Sequence, residues 1–183
     1  MRACAYIVGP PDGPGALLRD MARELGFATV LSYQDLGAAD QQAQNMPLSF
    51  FLFAAVDDVR TLSPVAHAIR FWPTKRLRFS PLIYFSESPS VDTIRACVNM
   101  GFDDVITLPF AHERVLGRLE RQVDRPLLYF ETQGYFGPDR RDRLPPDPKA
   151  TPQREQSAQF RRIEIVRSTR NGVTVVKDEA HAA

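Results

Sequence analysis

Met100-Gly101-Phe102-Asp103-Asp104-Val105-Ile106-Thr107-Leu108-Pro109-Phe110 is the stretch on which the fold turns. The preceding residues, 91–100, put Ile94, Cys97 and Val98 at helical spacing behind a capping Ser90, and Gly101 suits the left-handed turn that ends many helices. Residues 104–107 then read as a short strand stopped by Pro109. A new helical pattern over 112–123 follows, with Val115, Leu116 and Leu119 on one face.

The same strand–helix unit repeats upstream. Residues 3–8 read as a strand and 15–25 as an amphipathic helix with Leu17, Leu18, Met21 and Leu25 inward, ended by Gly26. A second strand over 28–33 leads into a weak, Ala- and Gln-rich helix over 35–44. Residues 48–56 are almost wholly apolar, as a strand buried on both faces should be. A helix over 63–71 and a fourth strand over 81–85 complete the series. Five such pairs predict an α/β chain with a five-stranded parallel sheet, doubly wound, with helices on both faces.

Composition narrows the function classes. The 183 residues carry a net charge of +1, which gives no overall pull toward nucleic acid or anionic lipid. No apolar run reaches the length a membrane helix needs, and the start is too short for a signal segment, so a cytoplasmic protein is expected. Cys4 and Cys97 lie in a strand and a helix without partners at metal or redox spacing, and His67, His112 and His181 are scattered. No metal site and no cofactor are therefore expected. Gly9-Pro10-Pro11-Asp12-Gly13-Pro14-Gly15 is glycine-rich, but it lacks the lysine of a phosphate-binding loop and its prolines remove amide donors.

After residue 125 the character changes. Residues 127–143 join Tyr129, Phe130, Tyr135 and Phe136 to Arg140, Arg141 and Arg143. Exposed, such residues would form a binding surface; packed back, the aromatics would close the sheet edge. A Pro-rich, polar stretch is read as a linker over 137–159 between a domain over 1–136 and a β-hairpin tail over 160–183, whose turn is Arg170-Asn171-Gly172. An isolated hairpin is marginal in water, so it should dock on the domain, a second copy or a partner. A second basic patch, Lys75, Arg76 and Arg78, follows Trp72.

From about residue 3 to 125 the chain resembles the receiver domains of bacterial response regulators. The stretch 100–110 resembles their last strand and Lys-Pro-Phe turn, and Pro81-Leu82-Ile83-Tyr84-Phe85-Ser86 their fourth strand, with 22 residues from Ser86 to Leu108. The resemblance implies a flavodoxin-like receiver fold. It also implies a pocket holding an acid pair for magnesium, an acceptor aspartate and a phosphate-neutralising lysine. Here Gly9 and Pro10 stand at the acid-pair positions, and Leu108, before Pro109, at the lysine position. The acceptor position falls on Ala54 or Ala55, with Asp57 also admissible. Ser86 is either a phosphate-sensing hydroxyl or a strand-end hydrogen bonder. The expectation is thus a degenerate pseudo-receiver, no enzyme, acting by protein–protein contact with another signalling protein or a second copy of itself.

Interaction candidates are Arg95, Asn99, Arg114 and Arg118 on the last two helices, and Tyr135, Phe136, Arg140 and Arg141 beyond them. Residues 135–141 are also similar to segments in tails of alphaproteobacterial regulators. Two rival functions stand: a genuine phosphoacceptor using Asp57, and a nucleic-acid binder using the C-terminal arginines. Interspersed Asp139, Asp142, Glu155 and Glu164 argue against the latter.

Overall fold

A computed structural model describes residues 1–87, 90–107, 109, 111–139 and 159–181. The chain begins β1 (Cys4–Val8), α1 (Gly13–Glu24), β2 (Thr29–Ser32), α2 (Leu36–Gln42), β3 (Ser49–Phe53) and α3 (Ser63–Arg70). It continues through α4 (Lys75–Arg78), β4 (Leu82–Ser86), α5 (Val91–Asn99), β5 (Asp104–Thr107) and α6 (His112–Glu120). These strands form a parallel sheet in the order β2-β1-β3-β4-β5, the doubly wound flavodoxin-like arrangement. Among the described residues no helix is long and apolar enough to cross a membrane.

Period-two alternation decides which side chains meet which layer. Ala3, just before β1, and Ala5 and Ile7 on it join Phe50 and Leu52 of β3 in one core, beneath Leu18 and Ala22 of α1 and Leu119 of α6. Cys4, Tyr6 and Val8 join Phe51 and Phe53 in the other, against Ala66 and Ile69 of α3 and Cys97 of α5. All five residues of β3 are buried, as its composition requires. Local chemistry sets the helix starts: prolines occupy the first turns of α1 and α3, and the Ser90 hydroxyl accepts the Thr93 N–H at 3.0 Å to cap α5.

The expected five-stranded layer is present, and a second sheet lies on it. Strands β6 (Pro126–Glu131), β7 (Phe136–Pro138), β8 (Phe160–Ser168) and β9 (Gly172–His181) pair antiparallel in the order β7-β6-β8-β9. The hairpin of β8 and β9 therefore docks on its own chain, edge to edge with β6. Tyr129, Phe136, Ile163, Ile165 and Val173 enter the same core as β1 and β3. Arg78 pins α4 to this sheet, lying 4.1 Å from the Phe136 ring centre and 2.7 Å from Glu131. The expected linker lies outside the described residues over 140–158.

Candidate functional site

Doubly wound sheets bind ligands beyond the carboxyl ends of their strands, where the strand order reverses, here between β1 and β3. Gly9 and Pro10 leave β1 at that point, and Ala54 and Ala55 leave β3. The two chains are in contact: the Ala54 N–H donates to the Val8 carbonyl at 2.9 Å. Gly9 has φ of +153°, and a Cβ placed on it would lie 2.7 Å from the Ala54 Cβ. No side chain fits there without movement.

Two small cavities open at this end. One, about 190 Å³, is lined mainly by Pro14, Leu17, Leu18, Ala54, Ala55 and Phe85. Its neighbour, about 300 Å³, is bordered by Asp57, Tyr84, Ser86, Glu87 and Thr93. The Phe53–Tyr84 pairing, continued two residues, brings Ala55 level with Ser86. Asp57 lies beyond, exposed on the loop, while Asp58 caps the following 3-10 turn by accepting the Arg60 N–H at 2.9 Å. Ser86 is buried at the end of β4 beside Thr107.

A magnesium ion demands a set of oxygen ligands in near-octahedral array. Glycine, proline and alanine offer no side-chain oxygen, and Asp12, the nearest acid after β1, is exposed at the start of α1. Asp57 and Glu87 are the carboxylates bordering the polar cavity. Among the described residues no group of three or more His, Cys, Asp or Glu side chains is placed to hold a metal. The residues present do not fit the cation. Leu108 and its position before exposed Pro109 lie outside the described residues.

The interaction candidates are dispersed. Arg95 is half-buried, and Asn99 and Arg114 are exposed on α5 and α6. Arg118 is engaged: its Nε donates to Asp104 at 2.8 Å, with a second bond from Nη2. Tyr135 is half-buried and donates its hydroxyl to the Pro138 carbonyl at 3.1 Å. Phe136 requires correction, because at 2 % exposure it is a core residue packed on Phe79 and Tyr129 and cannot meet a partner. Arg140 and Arg141 lie outside the described residues.

The most elaborate polar assembly is one that sequence reasoning missed. Asp103 is buried and accepts hydrogen bonds from Arg70 at 2.6 Å, Leu82 N–H at 2.8 Å, Arg167 at 2.9 Å and the Tyr129 hydroxyl at 2.5 Å. Arg70 also donates to the carbonyls of Gly101, Arg78 and Ser80, and Arg167 to the Phe79 carbonyl and to the side-chain amide oxygen of Gln122, just beyond α6. Burial alone would raise the Asp103 carboxyl. Arg167, Arg70, Tyr129 and Leu82 more than reverse that and hold it at about 2. Only the paired acids at the head of the fifth strand hinted at it; Arg70, Tyr129 and Arg167 sit far apart in the chain with no local signature.

No family model matches the chain, and no curated protein does either. Solved structures with a similar fold include response-regulator receiver domains. A response regulator from Thermotoga maritima is 15% identical over 67% of this chain and 98% of its own, with a TM-score of 0.49. One described as putative, from Chloroflexus aurantiacus, is 16% identical over 66% and 96%, also at 0.49. The receiver domain of a sensor histidine kinase from Pseudomonas aeruginosa, solved with magnesium in its cleft, is 18% identical over 66% and 96%, at 0.46. The strand order and connections carry the fold on their own.

Proposed function

We propose that the chain is a non-catalytic, receiver-like signalling module of a two-component pathway, cytoplasmic, and acting by protein–protein interaction. Its partner would be another signalling protein or a second copy of itself. One observation carries this reading: where strand order reverses, Gly9 closes against Ala54, and the cavity beside them is lined by apolar side chains apart from Glu87. A phosphorylated side chain placed there would have neither cation ligands nor a neighbouring ammonium group to offset its charge. The exposed Val91 and Ile94 of α5 and Leu17 of α1, with Arg95, Asn99 and Arg114, offer contact surface instead.

A second reading, phosphorylation of Asp57, is favoured by Asp57 and Ser86 bordering one cavity. Incubation with acetyl phosphate and magnesium, followed by intact mass measurement of the wild type and Asp57→Ala, separates the two. The wild type is expected to gain no phosphoryl group; a stoichiometric gain that disappears in Asp57→Ala would overturn the non-catalytic reading. Nucleic-acid binding is disfavoured because Arg161 and Arg167 are engaged with Asp178 and Asp103.

A further inference from the structure

At the opposite end of the parallel sheet, a groove of about 700 Å³ runs between the loop entering β3, the start of α4 and the β8–β9 turn. Lys75, Arg76 and Arg170 line it with Asn45, Thr74 and Asn171, and no carboxylate does so among the described residues. These cations come from segments about a hundred residues apart, so no run of sequence shows them together.

The walls are fixed before any ligand arrives. Gly172 has φ of +75°, and a Cβ there would lie 2.7 Å from the Pro47 carbonyl oxygen, so the hairpin turn sits directly on the loop before β3. Its neighbour Val173 is buried in the core. Arg76 is held from behind, donating to the Ala43 carbonyl at 3.3 Å with Asp40 at 4.0 Å. Asp40 also accepts the Thr74 hydroxyl at 2.8 Å. The charged ends of Lys75 and Arg170 have no ion pair among the described residues, and both residues are exposed.

We propose that this groove binds a small molecule bearing a phosphate chain, either a nucleotide or an inorganic polyphosphate. Successive phosphate groups can engage several cations and side-chain amides at once, whereas a single carboxylate would leave most of these donors unused. The volume falls in the range of small-molecule sites, roughly 300–1,000 Å³. Asp40 beside the groove interrupts the cationic stripe that a nucleic-acid backbone would need. The proposal is independent of the reading of the carboxyl end.

The test is calorimetric titration of the full chain with sodium tripolyphosphate, with ATP and with a short oligonucleotide, at physiological ionic strength without divalent cations. Wild type is compared with Lys75→Glu/Arg170→Glu and with Arg19→Glu/Arg60→Glu, which makes the same charge change at the far end of the sheet. One saturable site is expected, weakened about tenfold or more in the groove variant and kept within about threefold in the other. Stronger binding of ATP than of tripolyphosphate would assign a nucleotide, and equal binding the phosphate chain alone. Absence of saturation by both probes, equal binding by the groove variant, or tighter binding of the oligonucleotide would overturn the proposal. Chemical-shift changes on wild type at the Asn171 and Gly172 amides provide a readout that does not depend on the variant folding, and changes confined elsewhere would also overturn it.

Discussion

Asp103 joins two guanidinium groups, a phenol and a backbone amide in a space that water does not reach. Asp103→Asn removes the charge and leaves Arg70 and Arg167 buried without a counterion. The expected loss is about 3–5 kcal/mol, read as a lower urea midpoint at neutral pH; an unchanged midpoint would refute it. Acid should act through the same group. The folded chain holds its carboxyl at about 2 against an ordinary 3.8, so its stabilisation stands in full above 3.8 and disappears as pH falls toward 2. The wild type should lose stability over that interval and the variant should lack that share of the loss. The thiols lie at the inert extreme: burial pushes Cys4 up to about 11 and Cys97 to about 12, and both are free. Neither should react with a disulfide reagent in the native protein, and both should react after denaturation; rapid native labelling would contradict this.

Between elements, the close approach of β1 and β3 governs what their carboxyl ends can carry. Gly9→Ala places a methyl group 2.7 Å from the Ala54 Cβ on a backbone of φ +153°. A destabilisation of about 1–3 kcal/mol is expected, measured by thermal or urea unfolding, and an equally stable variant would show that the chains separate easily. The same contact means that putting a carboxylate at position 9 alone does not rebuild a cation site. The strand character of β1, the burial of β3 on both faces and the caps of α5 were legible in sequence because they depend on near neighbours. The 126–131 and 136–138 strands were not, because β6 pairs with β8, some thirty residues further on, and β7 pairs with β6.

Across the whole molecule, the second sheet is part of the core. Tyr129, Phe136, Ile163 and Ile165 pack with the first sheet, and Arg167 and Tyr129 complete the Asp103 assembly. A chain ending at residue 125 is expected to lose cooperative unfolding and near-ultraviolet dichroism, and cooperative melting close to that of the full chain would sink the idea. Removal of the hairpin therefore tests folding before it tests recruitment. The order of strand–helix units, the buried third strand, the turn at Gly172 and the absence of acids at positions 9 and 10, directly after the first strand, were all determined by the sequence itself. Each follows from local periodicity or from residue identity, which a single chain displays directly. Only the tertiary structure decided that Phe136 belongs inside, that Asp103 meets Arg70 and Arg167, and that Lys75 shares a groove with Arg170. Those outcomes depend on which distant segments close against each other, and charge or aromaticity alone does not say which face of a strand a residue will take.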